Sequence, residues 1–193
     1  MEKPTDLKSR KPLFLTLITA GVFLIGAAVI PLLVNGQSKA LDNNGIVLAP
    51  IVMNESALNL PMTDLQGNPA ELSMTRGKVV LMNNWATWCP PCQAEMPELQ
   101  AYYQAHSRQG FLVVAIESGE NAETVTSFVQ QYELSFPVWL DLQSSELDAL
   151  QNWDLPSSYL VDRQGIFRMR WVGPVNMETL ERYVTPLLDE ATK

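Results

Sequence analysis

Cys89 and Cys92, in Trp88-Cys89-Pro90-Pro91-Cys92, are the only two cysteines among 193 residues. Two thiols separated by two residues, after an apolar run and at the start of a helical pattern, can open and close as a dithiol/disulfide pair. The chemistry this allows is electron transfer by thiol exchange. With Cys89 as N-cap, Pro90, Pro91 and Cys92 fill the first three helical positions, where the N–H that proline lacks would have had no partner. The Cys89 sulfur then accepts from the Cys92 N–H, and the helix dipole favours its thiolate. Cys89 is the expected nucleophile, and Cys92, one turn inside, the expected resolving thiol. The prolines also remove donors near the sulfur, so the thiolate should be less stabilised than beside a donor-rich dipeptide, and the pair should lean towards reductant. Glu95 follows Cys92 by three residues on the same helical face, placed to take its proton. The plainer alternative is an acidic residue favoured by the dipole in the first two turns.

Competing uses of the pair are weaker. A structural disulfide closing so short a loop removes little unfolded-state entropy. Tetrahedral zinc wants four ligands, and the chain offers two Cys and the single His106, whose default is a surface or helix-end role. Cu(I) can use two thiolates with one of the eight methionines, which keeps a copper-binding module as a non-enzymatic alternative. Pro156, in Leu155-Pro156-Ser157-Ser158-Tyr159, reads by default as a strand-start proline; a cis peptide bond beside the disulfide is the functional alternative.

The elements that must position these residues follow from periodicity. Residues 58–63 and 70–74 read as short strands around a loop, and 79–82 as a strand buried on both faces. A helix is expected over 89–107, with Met96, Leu99 and Tyr103 inward and a kink at Pro97. A strand over 111–116 precedes a helix capped by Asn121 and carrying Val125, Phe128, Val129 and Tyr132. A short strand at 136–140 and a helical stretch at 146–152 come next. Residues 159–161 and 166–172 flank the turn Asp162-Arg163-Gln164-Gly165, and alternation predicts Phe167, Met169 and Trp171 on one face with Arg168 and Arg170 on a wet one. A last helix starts near Met177, with Leu180, Val184, Leu187 and Leu188 inward. A βαβ unit, a hairpin and a closing helix give an α/β class with a mixed sheet flanked by helices.

The N-terminus has its own pattern. Residues 1–12 carry Lys3, Lys8, Arg10 and Lys11, and 13–34 are 22 residues without a charge. About 20 apolar residues span a bilayer, and the basic flank predicts the N-terminus in the cytoplasm with the remainder outside. A cleaved signal peptide ending near Ser38-Lys39-Ala40 is the rival, but its apolar region would exceed the usual length. Residues 35–57 read as a linker and 58–193 as one globular domain. Beyond residue 34 the formal charge is −10, which would repel nucleic acid and anionic lipid.

Several segments together resemble the thioredoxin superfamily, and within it the membrane-anchored TlpA/ResA/DsbE-like thiol-disulfide oxidoreductases. They are Gly77-Lys78-Val79-Val80-Leu81, Trp85-Ala86-Thr87-Trp88-Cys89-Pro90-Pro91-Cys92, Glu95-Met96-Pro97-Glu98-Leu99, Phe136-Pro137-Val138 and Leu155-Pro156-Ser157-Ser158-Tyr159-Leu160-Val161-Asp162. The resemblance implies a thioredoxin fold with Pro156 cis against the cysteine pair. It implies that the Leu155 backbone pairs with a bound chain, that Trp88, Pro90, Pro91, Leu155 and Pro156 form the substrate contact, and that Glu95 belongs to the active site. Asn83 stands where cytoplasmic thioredoxins place a buried aspartate, and the resemblance implies Glu95 as the substitute for that acid. Asn84 departs from a usual aromatic, and Asp154 from a small residue.

The expected function is therefore a single-pass, inner-membrane thiol-disulfide oxidoreductase with its catalytic domain in the periplasm or equivalent. It would reduce disulfide-containing extracytoplasmic proteins with electrons from a membrane thiol donor, and apocytochrome c is a substrate that the resemblance alone implies. The redox group is the Cys89–Cys92 pair itself, without another cofactor or metal. A disulfide oxidase running the opposite flux and a thiol peroxidase remain as enzymatic alternatives.

Overall fold

The structure is a computed structural model and describes residues 49–190. The expected cytoplasmic segment 1–12, anchor 13–34 and possible cleavage region near residue 39 lie outside the described residues. Among those described, no helix is long and apolar enough to cross a membrane.

Eight strands form one mixed sheet. In chain order they are β1 Ile51–Ser56, β2 Met62–Asp64, β3 Pro69–Ala70, β4 Val79–Trp85, β5 Phe111–Ser118, β6 Val138–Asp141, β7 Ser157–Val161 and β8 Ile166–Val172. Their spatial order is β1-β8-β7-β4-β5-β6-β2-β3. The helices are α1 Pro90–His106, α2 Ala122–Gln131, α3 Ser145–Leu150, α4 Met177–Tyr183 and α5 Thr185–Asp189. Strands β4, β5 and β6 run parallel in successive positions, whereas β7 and β8 return antiparallel. Both parallel connections step the same way across the sheet, so right-handed crossovers put α1 and α2 on the same face.

That face holds the larger core. Leu81, Trp85, Val113 and Leu160 meet Met96 and Leu99 of α1, Val125 and Phe128 of α2, and Leu180 and Leu187 of the closing helices. The opposite face is covered by the segment around Met62, Ala70 and Leu72 and by Leu150 of α3, packed over Val80, Met82, Val114 and Tyr159. All seven residues of β4 are buried, which fits an apolar run covered on both sides.

Several expectations are corrected. The linker does not extend to residue 57: β1 pairs with β8, although its side chains are mostly exposed, which hides the strand from a search for buried alternation. Residues 58–63 and 70–74 give only short strands followed by a single 3₁₀ turn at Leu72–Thr75. On α1 the buried tyrosine is Tyr102, with Tyr103 half-buried. The closing helix is two short helices, with Pro186 in the first turn of the second.

The alternation in β8 is also broken. Leu160 pairs with Met169 but Val161 with Phe167, so Arg168 is an extra residue and the strand bulges. Phe167 consequently packs on the face with Val161, while Met169 and Trp171 pack on the α1 face. Arg168 reaches Asp162 at 3.1 Å. In the adjoining turn, Asp162 accepts from the N–H groups of Gln164 and Ile166, and Gly165 takes the positive φ (76°) that the turn requires.

Three glutamic acids lie inside this fold, Glu95, Glu117 and Glu146, each at most 2% exposed. Burial disfavours their ionised forms and pushes them up to about 8, about 8 and about 7 respectively. In the unfolded chain they ionise near 4.5, so between there and pH 8 the native state holds more protons than the unfolded state. Their stabilising balance is therefore fullest at acid pH and is lost as pH rises. The denaturant midpoint should fall from pH 5 to pH 8, and replacing Glu146 by Gln should flatten that fall; a midpoint that rises over this range would contradict the placement of these acids.

Candidate functional site

β4 delivers the chain to the redox pair. It ends at Trp85, and four residues later Cys89 caps α1 in an extended conformation (φ −92°, ψ 105°). Its sulfur accepts from the Cys92 N–H at 3.3 Å, the capping bond expected from the sequence. Cys89 and Cys92 are joined as a disulfide. Cys92 is fully buried and Cys89 4% exposed, while Trp88 beside them is 66% exposed and Pro90 and Pro91 are also exposed. Access to the pair is thus through the loop and first turn, where the helix offers no N–H from residues 90 and 91.

Glu95 lies below this turn, one helical turn after Cys92. Its Oε1 accepts from Asn83 Nδ2 at 2.8 Å and its Oε2 from the Val175 N–H at 2.8 Å. Asn83 also donates to Ser158 Oγ at 3.1 Å, joining β4, β7, α1 and the segment after β8. Glu98 accepts from the Met177 N–H, so two acids of α1 dock that segment. Burial raises Glu95 to about 8, against the opposing effect of its two donors. A thiol ordinarily ionises near 8.5, so a proton could pass between Cys92 and such a carboxyl with little change in free energy.

The Leu155–Pro156 peptide bond is cis. Pro156 is buried and immediately precedes Ser157, which pairs with Asn84 at the end of β4 from which the Cys loop departs. Leu155 packs against the cluster containing both cysteines. The Pro156 carbonyl accepts from Gly173, and neither peptide group of Leu155 has a backbone partner among the described residues. The structure thus brings all the expected site residues to one end of the sheet.

Other features there escaped the sequence reading. Trp153 and Leu142, in the loops flanking α3, are 60% and 62% exposed. Glu120 accepts from the N–H and hydroxyl of Thr87, two residues before Cys89. Glu117 interrupts the otherwise apolar run of β5, and that break was the available signal. Asn84, where an aromatic was expected, faces away from α1 and donates to Ser157 Oγ at 3.3 Å. No group of three or more His, Cys, Asp or Glu suited to a metal occurs among the described residues.

Comparison with known proteins agrees with this arrangement. Residues 53–170 match the model of the AhpC/TSA family. The thiol-disulfide oxidoreductase ResA of Geobacillus kaustophilus is 34% identical over 134 residues, covering 69% of this chain and 77% of that protein. The crystal structure of StoA from Bacillus subtilis superposes with a TM-score of 0.57 at 25% identity, covering 66% of this chain and 96% of that one. A secreted thiol-disulfide isomerase from Corynebacterium glutamicum shares the fold, with a TM-score of 0.67 at 21% identity over 81% of this chain and all of that one. A capped redox pair, a buried acid below it and a cis proline at the same sheet end, on a fold and sequence of this similarity, make the chain a member of the AhpC/TSA family in the thioredoxin superfamily, a thiol-disulfide oxidoreductase of the ResA type.

Proposed function

We propose that this chain is a membrane-tethered reductase of protein disulfides outside the cytoplasm, with Cys89 as the attacking thiol, Cys92 as the resolving thiol and Glu95 as the proton partner of Cys92. The observation that carries this reading is the order along α1: an accessible N-terminal turn at Cys89, a shielded Cys92, and a buried acid one turn below.

In the reducing direction the Cys89 thiolate attacks one sulfur of a substrate disulfide. The other substrate sulfur leaves as a thiolate. Cys92 then gives its proton to Glu95 and attacks the Cys89 sulfur of the mixed disulfide. The second substrate thiolate departs, the substrate has gained two electrons, and the protein holds the Cys89–Cys92 disulfide. A membrane thiol donor returns the electrons by exchange at Cys89; the thiolate released on Cys92 recovers its proton from Glu95. Trp88, Pro90 and Pro91 offer an exposed contact surface, and the unpaired Leu155 backbone can hydrogen-bond an extended substrate chain beside Pro156. The protein substrate is an extracytoplasmic disulfide, and apocytochrome c is the particular substrate that the family resemblance suggests. The uncharged stretch 13–34 supports a tether, which would raise the effective concentration of the domain near its donor.

Replacing Cys92 by Ser should trap disulfide-linked substrates on Cys89, and their identification tests the substrate class. No trapped protein, or trapping only with Cys89→Ser, would reject the assigned order of attack. In cells the wild-type pair should be mostly reduced; a mostly oxidised pair would indicate an oxidase. Glu95→Gln should slow resolution of a preformed mixed disulfide by roughly 10²-fold and remove an inflection near pH 8. An unchanged pH profile would dismiss Glu95 as proton partner. After fractionation and alkaline carbonate washing, the full chain should remain with the membrane; recovery of a shortened, freely soluble form would favour the cleaved signal.

A further inference from the structure

Thr87 is gripped more firmly than a loop residue needs to be. Its N–H and hydroxyl donate to Oε2 and Oε1 of Glu120 at 2.8 and 2.6 Å, and its carbonyl accepts from Gln93 Nε2 at 2.7 Å. Every polar group of Thr87 is therefore engaged, two residues before Cys89. Ala86 and Cys89 on either side are packed in the core, and these hydrogen bonds hold the short stretch between them, beside the exposed Trp88.

Behind Glu120 lies a second acid. Glu117, near the end of β5, is fully buried; its Oε2 accepts from the Glu120 N–H at 3.1 Å, and its Oε1 has no hydrogen-bond partner. Burial first, and then the neighbouring Glu120 side chain, push the Glu117 carboxyl up. The charged groups that face Glu117 are Glu120 from the β5–α2 loop and Asp141 from β6, both acidic. Holding Thr87 requires Glu120 alone. A second acid enclosed beneath it is costly when ionised and tolerable when it carries a proton.

We propose that Glu117 and Glu120 are a positioning pair for Cys89: while Glu117 holds a proton, Glu120 keeps its grip on Thr87, and when that proton is lost the two like charges push Glu120 away and free the loop that presents the nucleophile. Control of Cys89 then resides partly on β5, an element that carries neither cysteine. The inference rests on Cys89 being the attacking thiol.

The test is the pH dependence of iodoacetamide alkylation of the reduced full chain, with the modified cysteine identified by peptide mass. In the wild type, Cys89 should be alkylated first, and its rate should need two titrations, its own and a second near pH 8 that changes the rate about threefold or more. Glu117→Gln keeps a neutral side chain of the same shape and should leave a single titration. Glu120→Gln removes the opposing charge, so loss of the Glu117 proton should no longer free the loop and the second step should vanish. Thr87→Ser, which retains the hydroxyl, should preserve the wild-type profile. A single titration in the wild type, or a Glu117→Gln profile superimposable on a two-step wild type, overturns the proposal. If Glu117→Gln does not fold, Glu120→Gln decides: loss of the second step supports the proposal and its persistence overturns it. Alkylation of Cys92 first would instead overturn the assigned order of attack.

Discussion

The first turn of α1 is the constraint around which the site is organised. A helix start leaves peptide N–H groups without partners. Here two are removed by Pro90 and Pro91, and the Cys92 N–H is satisfied by the Cys89 sulfur itself. The capping atom and the candidate reactive atom are therefore one and the same. Such a cap works only if the chain arrives at Cys89 in an extended conformation and at a fixed height, which the buried end of β4 and the anchored Thr87 provide.

Below that turn the fold departs from a wholly apolar core. Glu95 is enclosed, yet both of its oxygens accept from fixed donors, one on β4 and one after β8. These donors tie three parts of the chain to α1 at the level of the cysteines. The acids at Glu117 and Glu146 lack such satisfaction: among the described residues one buried oxygen of Glu117 and both of Glu146 have no hydrogen-bond partner. The same kind of side chain thus meets two settings in one sheet, both oxygens hydrogen-bonded beneath the redox pair and oxygens left unpartnered elsewhere, while burial raises all three acids.

The redox pair, its cap and the nearby acid were legible because they lie within seven residues and depend on helix geometry alone. The central strands were legible for a similar reason: β4 and β5 are long apolar runs. Strand β1 was not, because only one edge of it is paired and its side chains give no buried pattern. The bulge at Arg168 was invisible to alternation, since the inserted residue is defined by its pairing with β7 and not by its type. The contact between Glu120 and Thr87 spans 33 positions, so no local period announces it. Likewise, Asn84 looked like a defect in an aromatic site, but the pleat turns it to the other face, where its amide N–H donates to Ser157 Oγ.

The position of β1 has a mechanical consequence. It is an edge strand whose only ladder is to β8, beginning at the Ile51–Arg170 pair and ending at Ser56–Ile166. Tension on the chain preceding Ile51, directed away from the sheet edge, is borne by the Ile51–Arg170 end first and can peel β1 stepwise, as a zip opens. The ladders of β8 with β7 and of β7 with β4 remain outside that path. Among the described strands, β1 is thus the one that can detach while those carrying the redox end stay paired.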